Sequence, residues 1–314
     1  MLEGVALHLL FLAAGIVALF IGAELLVKGA GRLALGLGLR SATVGVTVVA
    51  FATTSPELFV AMLGALDVSA DVGLGTIVGS NIANIGLVLG VAAVIHPLTI
   101  SERVMRRHVP FMVLAAVLLP LVAIDGVIGR LEGAFLLVVL AGFTGYILYS
   151  VNADPATFET DVQTPRDLEW RDAGLVIGGL IALVIGSRWL VSGGSSLLLA
   201  FEVPEFIVGL TILAIGTSLP ELAASAVGAA RGETGFVIGN VIGSNIYNIL
   251  AVLGLLALVV PISVSPAVLR FELPLVVGFT VLLVGMMGYG RRLTRLDGAV
   301  LLVAYGVLMW FLFT

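Results

Sequence analysis

The chain has 314 residues, of which 60% are hydrophobic and 11% charged, and its mean hydropathy is +1.20. Soluble domains are about half apolar and a quarter charged, so this composition excludes a water-soluble globule. The 15 basic and 20 acidic residues give a net charge of -5 without a basic stripe, which excludes nucleic-acid binding. The absence of cysteine excludes disulfides, thiolate metal sites and cysteine nucleophiles.

Ten long stretches contain at most one charged residue each. A membrane-spanning helix needs about 20 mainly apolar residues, so these stretches are predicted as ten transmembrane helices. The predicted spans are 4–23, 41–66, 72–95, 109–124, 133–149, 173–191, 206–230, 234–260, 273–290 and 298–313. A transmembrane barrel is excluded because its strands alternate polar and apolar residues, and these stretches do not. The sequence therefore predicts an all-α membrane protein.

Basic residues are unevenly divided between the two sets of loops that alternate along these ten helices. The loops after helices 1, 3, 5, 7 and 9 carry 12 of the Lys and Arg residues, and the opposite set carries three. Because short loops rich in Lys and Arg stay in the cytoplasm, both termini are predicted to be extracellular.

The two halves of the chain match each other at a fixed offset of 164 residues. Positions 45–90 and 209–254 share 19 identities in 46 positions without a gap. This match predicts a first five-helix repeat at 1–151, a cytoplasmic linker at 152–172 and a second five-helix repeat at 173–314. Since five is odd, the second repeat must enter the membrane in the opposite sense. Inverted repeats of this kind are typical of secondary transporters, which bind their substrates near the membrane midplane.

One glutamate lies deep in an otherwise uncharged helix of each repeat, Glu57 in helix 2 and Glu221 in helix 7. Inserting a central acidic residue into a membrane costs about 2.5 to 3.5 kcal/mol, so a functional role is expected. Pro56 and Pro220 precede the two glutamates, and proline leaves the carbonyl four residues earlier without its backbone donor. Helices 2 and 7 are therefore predicted to be broken at the core, where the open carbonyls need a partner.

Polar groups accompany both glutamates at helical spacing. Positions i, i+3, i+4 and i+7 share one face of a helix, and in each repeat this face carries hydroxyls as well as the glutamate. The next helix of each repeat carries a serine and an asparagine four residues apart, which also share a face. The first repeat supplies Ala50, Thr53, Thr54 and Glu57, with Ser80 and Asn84; the second supplies Ala214, Thr217, Ser218 and Glu221, with Ser244 and Asn248.

The candidate ligands in these two sets are all oxygen atoms, and neither His nor Cys is among the residues. Hard oxygen ligands suit Na⁺, Ca²⁺ or Mg²⁺. Two glutamates neutralise one Ca²⁺, and calcium accepts a loose shell of about six to eight oxygens, which two half-sites can furnish. Mg²⁺ keeps its waters and fits such a cage poorly. The same cage has room for several Na⁺ ions, so sodium and calcium are expected to compete for it.

The paired blocks around Glu57 and Glu221 resemble the two alpha repeats of the sodium/calcium exchanger family, of the prokaryotic type without a regulatory domain. The resemblance implies a cell-membrane antiporter that exchanges Na⁺ for Ca²⁺ by alternating access, with helices 1 and 6 sliding across the core as the gate. It implies that the two glutamates are shared carboxylates and that Thr53 and Thr217 line the calcium position. The sodium positions are then completed by Thr54, Ser218, Ser80, Ser244, Asn84 and the carbonyls of Ala50 and Ala214.

The chain departs from the family's pattern at a few positions. Asn248 stands where many calcium exchangers carry Asp, so the site has two carboxylates instead of three acidic groups, and proton coupling stays open. Thr76 stands where the second copy has Asn240. The linker is too short for the large calcium-sensing insert of animal members, so such regulation is not expected.

Other interpretations of these residues remain open. An H⁺/Ca²⁺ antiporter, or an antiporter of another cation, fits the same fold, and a passive channel would conduct without a counter-ion. An intramembrane enzyme is weakly supported, because no His-Glu-x-x-His or Gly-x-Ser-x-Gly occurs and the polar residues are duplicated symmetrically. The chain is predicted to need no cofactor and no obligate protein partner beyond its ions and membrane lipid.

Three further polar features have local interpretations. Each glutamate has a structural alternative, in which its carboxylate satisfies the broken helix. Asn81 directly follows Ser80, and Asn245 directly follows Ser244, so the asparagines lie on a different face of the helix from the serines. A packing role is favoured for both asparagines. Glu24 aligns with Arg188 at the repeat offset, so the repeats do not share that charge, and both residues are interpreted as local anchors.

Overall fold

The computed structural model describes residues 2–36, 41–67, 70–153, 169–200, 216 and 218–313. Within these ranges the regular structure is helical apart from four two-residue strands, with short turns and loops between the elements. Among the described residues, seven helical segments are long and apolar enough to cross a membrane, and an eighth apolar helix, Leu219–Ala230, is shorter. The seven are Leu7–Leu33, Gly73–Ile95, Glu102–Val122, Arg130–Ile147, Trp170–Gly193, Thr234–Val259 and Val268–Gly288.

The described helices are numbered in chain order. They are α1 Leu2–Gly36, α2 Ser41–Val44, α3 Ala50–Thr53, α4 Ser55–Asp67, α5 Ala70–Ala83, α6 Leu89–Ile95, α7 Glu102–Arg107, α8 Val109–Val122, α9 Arg130–Ala153, α10 Trp170–Ala200, α11 Leu219–Ala230, α12 Thr234–Tyr247, α13 Gly254–Val259, α14 Leu273–Gly288 and α15 Arg295–Phe313. Short π-helical segments lie at Gly45–Val49, Asn84–Val88, Asn248–Leu253 and Val268–Glu272. The strands are β1 Leu98–Thr99, β2 Val127–Ile128, β3 Ile262–Ser263 and β4 Arg292–Leu293.

Helices α1 and α10 are longer than the spans predicted for them. The first span is predicted to end at residue 23, before Glu24, but α1 continues through 35 residues, which is about 52 Å of helix. Ion pairs account for the difference, because they accommodate charges that lie inside the helix. Glu24 contacts Arg231, and the Arg32 guanidinium lies 3.8 Å from the buried Asp172 carboxylate on α10.

The same two helices pack against each other, antiparallel and at backbone distance. A methyl group added at Gly15 would lie 2.9 Å from the carbonyl oxygen of Gly186, and one added at Gly22 would lie 2.8 Å from that of Gly179. Only glycine leaves room for backbones this close. Gly15 is equivalent to Gly179 at the 164-residue offset, and Gly22 to Gly186, so exchanging the two halves reproduces the interface.

Two small antiparallel strand pairs join the halves, β1 with β4 and β2 with β3. Leu98 lies opposite Leu293, and Ile128 lies opposite Ile262; all four side chains are fully buried. At the repeat offset β1 corresponds to β3, so each half contributes one strand to each pair. The pairs therefore fasten the two halves to each other next to the core helices.

The centre of the protein is formed by the segments 73–95 and 234–259, which are mostly buried. The second of these packs tightly against the helical segment that leads to Glu57. A methyl group added at Gly45 would lie 2.8 Å from the Phe236 carbonyl oxygen, and one at Gly243 would lie 2.7 Å from that of Val46. This interlocking brings polar residues of the two halves together in the middle of the molecule.

Candidate ion-binding site

The two glutamates occupy equivalent places in the structure. Each is fully buried and lies in the first turn of a helix that follows an interruption, Glu57 in α4 and Glu221 in α11. The interruption before α4 is a turn at Thr54, and α11 starts after Ser218. A carboxylate in the first turn faces the positive end of the helix dipole, which favours a negative charge there.

The Glu57 and Glu221 side chains are near enough to influence each other electrostatically, and the Thr53 side chain lies near Glu221. Within the described residues, however, no group completes a hydrogen bond to any of the four carboxylate oxygens. Two carboxylates this close repel each other in a poorly solvated interior unless a cation or a proton lies between them. The geometry therefore requires a positively charged partner at this point.

The other predicted ligands that the structure describes are also withdrawn from solvent. Thr54, Ser80, Ser218, Ser244, Asn84 and Asn248 are all buried. Apart from Ser80, their side-chain polar atoms have no hydrogen-bond partner among the described residues. A buried polar atom without a partner typically costs about 1 to 3 kcal/mol, so a cluster of them indicates a place that a ligand completes.

Thr53 is also buried, and its hydroxyl has several neighbours within the protein. Its Oγ1 donates toward the carbonyl oxygens of Val49 and Ala50, at 3.1 and 3.3 Å, and toward Asn240 Oδ1 at 3.4 Å. One hydroxyl proton serves only one acceptor at a time, so the lone pairs of this oxygen remain available to a cation. Thr217 and Ala214, the equivalents of Thr53 and Ala50, lie outside the described residues.

Asn84 and Asn248 begin π-helical segments, at positions that are equivalent in the two copies. A π-bulge widens the helix locally and is frequent at functional sites, because it turns side chains and carbonyls out of the regular ladder. Asn81 and Asn245 behave differently, since each donates its amide to a carbonyl of its own helix, Ile77 or Val241, at 2.8 Å. That bond suits the packing role that was favoured for them.

Two groups next to the site were not predicted as part of it. Asn240 reaches Thr53 from the other half, and its Nδ2 donates to Ser225 Oγ at 3.3 Å. The Ser187 hydroxyl of α10 donates to the Gly216 carbonyl at 2.7 Å, which is the carbonyl that the downstream proline leaves open. Two features of the sequence point to these groups. Asn240 differs from Thr76, its equivalent in the other repeat, and the Gly216 carbonyl, which Pro220 leaves without a backbone donor, needs another donor.

A shallow apolar opening reaches the edge of this region. It is lined by Phe51, Leu58, Tyr247, Ala251, Val252 and Leu255 together with Thr54. The rings of Phe51 and Tyr247 meet edge to face, with centroids 5.7 Å apart, across this opening. Thr54 is therefore both a predicted ligand and part of the lining of this opening.

The chemistry of the cluster suits a cation that is held loosely. Within the described residues no group of three or more His, Asp or Glu side chains converges, so only two full negative charges are available. Hydroxyl, amide and carbonyl oxygens must supply the other ligands. Fewer charged ligands weaken calcium binding, and a carrier has to release its ion.

The chain is similar to a known protein family, to individual relatives and to solved structures. A family model described as sodium/calcium exchanger protein matches residues 7–149 and again residues 172–314. The chain is 37% identical to the inner membrane protein YrbG of Escherichia coli (strain K12), over 81% of each chain. It is 29% identical to the sodium/calcium exchanger MaX1 of Methanosarcina acetivorans, over 98% of this chain and 99% of that protein. Among solved structures it resembles the sodium-calcium exchanger NCX_Mj soaked with zero Na⁺ and Ca²⁺, with a TM-score of 0.85 and 27% identity over 98% of this chain and 99% of that one.

Proposed function

The chain belongs to the sodium/calcium exchanger family, and we propose that it is a secondary active antiporter that exchanges Na⁺ for Ca²⁺ by alternating access. Membership makes it an integral membrane protein and a cation/calcium antiporter. The finer proposal is that sodium and calcium occupy one shared site between the two halves, and that only one kind of ion is carried in each direction.

The observation that carries this proposal is the contact between Glu57 and Glu221. Both are fully buried, they come from equivalent positions of the two halves, and they lie near each other with unpartnered oxygens. A single Ca²⁺ between them cancels both charges, and so do two Na⁺ ions. An empty site keeps two repelling carboxylates in the membrane, which makes the unloaded crossing unfavourable. That penalty is what couples the movement of one ion to the counter-movement of the other.

In this proposal the ligands divide between the two kinds of ion. The two glutamates serve both, and Thr53 and Thr217 complete the calcium position. The sodium positions use the side chains and carbonyls predicted from the family resemblance. They are Thr54, Ser218, Ser80, Ser244, Asn84 and the carbonyls of Ala50 and Ala214; Asn248 is proposed as a further ligand of the site without assignment to one ion.

We further propose ten transmembrane helices in two inverted five-helix repeats, with both termini extracellular. Three observations support two related halves, and the first of them supports their inversion. Helices α1 and α10 occupy equivalent places in the two halves and run antiparallel. Each strand pair takes one strand from each half. The family model also matches each half separately, at residues 7–149 and 172–314. The gate in this scheme is the α1–α10 pair, which slides across the core.

Purified protein in proteoliposomes tests the proposal directly. Vesicles loaded with Na⁺ and diluted into sodium-free buffer containing ⁴⁵Ca²⁺ are expected to accumulate calcium, and vesicles with equal sodium on both sides are not. Addition of a sodium ionophore should abolish the uptake. Calcium uptake that ignores the sodium gradient would contradict sodium coupling.

A second candidate is H⁺/Ca²⁺ antiport at the same site, which Asn248 favours specifically. It brings an uncharged amide to a place where an acidic ligand would add a third charge, and both of its amide atoms lack a partner among the described residues. Two carboxylates alone can be neutralised by two protons as well as by sodium. Uptake driven by a pH step in sodium-free vesicles would establish this alternative.

A further inference from the structure

A contact between α1 and the end of α11 lies apart from the ion site. Arg231 follows α11 directly and forms an ion pair with Glu24 of α1, with its Nε 3.2 Å from Glu24 Oε1. The two side chains are 40% and 30% exposed. The first turn of the same α11 carries Glu221, so one short helix connects the ion site to this ion pair.

The repeat places a matching pair of charges elsewhere in the chain. At the 164-residue offset, Glu24 corresponds to Arg188 and Arg231 corresponds to Asp67. The signs are reversed at both positions, so the second pair of positions is again complementary. Asp67 is the last residue of α4, whose first turn carries Glu57, just as Arg231 follows the helix that carries Glu221.

Glu24 on α1 and Arg188 on α10 lie on opposite sides of the midpoint of the packed α1–α10 pair. Glu24 is two residues beyond Gly22, which meets Gly179, and Arg188 is two residues beyond Gly186, which meets Gly15. Because the helices are antiparallel, one charge lies toward each end of the packed pair. A local anchor needs no counterpart, whereas a device that works in two conformations needs one at each end.

We propose that these positions form two alternate latches, Glu24 with Arg231 and Arg188 with Asp67, which hold the two access states in turn. The inference rests on the proposed alternating access, because inverted repeats exchange their conformations when the carrier turns over. Under that exchange, the contact between positions 24 and 231 becomes a contact between positions 188 and 67. Glu24 and Arg231 are therefore positioning residues for transport, and the pair formed in this structure closes one of the two states.

The strength of a partly exposed ion pair suits this role. Such pairs shift an equilibrium by only about two- to fivefold, so the latch biases a state without trapping it. Arg32 and Asp172 join α1 to α10 themselves, so they travel with the gate. Their contact is not expected to change between the two states.

Cross-linking tests the alternation, and the chain has no native cysteine to interfere. Glu24→Cys/Arg231→Cys and Asp67→Cys/Arg188→Cys are prepared as separate double variants. A disulfide needs Cα atoms within about 7 Å, whereas the long Glu and Arg side chains can pair over a greater distance. The two thiols are therefore joined by a reducible bifunctional reagent whose spacer matches the combined length of a Glu and an Arg side chain. Each variant is expected to yield its cross-linked peptide by mass spectrometry, and each cross-link is expected to stop exchange until it is reduced. Failure of the 67–188 pair to cross-link would overturn the proposal.

A charge variant then tests whether the two latches oppose each other. In the Asp67→Cys/Arg188→Cys background, Arg231→Gln should raise the yield of the 67–188 cross-link by about two- to fivefold, because it releases the other latch. Arg231→Lys keeps the charge and should change the yield less. Glu102→Gln is the matched control, because it removes the 3.0 Å ion pair with Arg291, which does not involve the gate helices. An equal effect of Arg231→Gln and Glu102→Gln would overturn the proposal.

Transport by the unaltered chain separates this inference from the proposed function. If sodium drives calcium uptake but the cross-link yields do not oppose each other, the latches fail and the antiport stands. If the yields oppose each other but sodium drives no calcium uptake, the latches stand and the ion assignment fails. Glu24→Arg/Arg231→Glu gives an independent measurement, since the swapped pair should restore the exchange rate that either single change lowers.

Discussion

Neutralising either buried glutamate should have opposite effects on transport and on the stability of the empty protein. Glu57→Gln and Glu221→Gln each keep the side-chain shape and remove one of two charges that face each other. Removing one partner of a buried charge contact costs about 2 to 5 kcal/mol of binding. A loss of about 4 kcal/mol lowers calcium affinity about a thousandfold, which abolishes exchange at micromolar calcium. Without ions, each variant removes a repulsion, so its melting temperature should equal or exceed that of the parent.

The assay is sodium-driven ⁴⁵Ca²⁺ uptake in proteoliposomes, paired with thermal unfolding in detergent without sodium or calcium. Glu132→Gln is the control: its carboxylate accepts a hydrogen bond from the Gly129 amide at 2.9 Å, at the start of α9 and away from the site. It should leave exchange unchanged. Retention of calcium exchange by either site variant would refute the shared-carboxylate reasoning. A lower melting temperature of both ion-free variants would instead indicate that the carboxylates are structural.

Three further changes have expected outcomes. Ser187→Ala removes the hydroxyl that donates 2.7 Å to an open carbonyl of the second half, and leaving that carbonyl unpartnered should destabilise the protein by about 1 to 3 kcal/mol, measured by thermal unfolding. Asn240→Ala removes an acceptor for the Thr53 hydroxyl and should raise the calcium KM about three- to tenfold while maximal exchange changes less, measured by initial uptake rates. Gly22→Ala forces apart helices that leave 2.8 Å for a methyl group, so it should lower stability by about 1 to 3 kcal/mol and slow exchange.

Each of these changes has a matched control in the chain. Ser187→Thr keeps the hydroxyl and should retain most of the stability that the alanine variant loses. Asn245→Ala removes an asparagine of the same helix that bonds only to its own backbone among the described residues, so its calcium KM should stay unchanged. Gly31→Ala adds a methyl group on α1 where no atom lies within 4 Å, and it should be tolerated. If variant and control behave alike, the contact in question does not have the role assigned to it.

Much of the architecture follows from local properties of the sequence. Hydropathy alone predicts helices across the membrane, because a backbone in lipid has to satisfy its own hydrogen bonds. The repeat is visible as a fixed offset, and it singles out Glu57 and Glu221 without any coordinates. The family resemblance rests on the same blocks, and the family model confirms it over both halves.

The lengths of α1 and α10 could not be predicted in this way. The charges of Glu24 and Arg32 indicate the end of a span when the sequence is considered alone, yet both lie within one continuous helix. Their partners, Arg231 and Asp172, are distant in the sequence. A charge ends a hydrophobic run, but whether it ends a helix depends on which partner the fold brings to it.

The sequence by itself determined that the chain is a helical membrane protein built from two related halves, each with one buried acid among oxygen donors. Only the tertiary structure decided that the two carboxylates meet, that Asn240 reaches Thr53 from the opposite half, and that Ser187 satisfies a carbonyl opened by a proline. Periodicity and composition act over a few turns of one helix. Contacts between the halves depend on how glycine-lined backbones interlock, and that is a property of the packed chain as a whole.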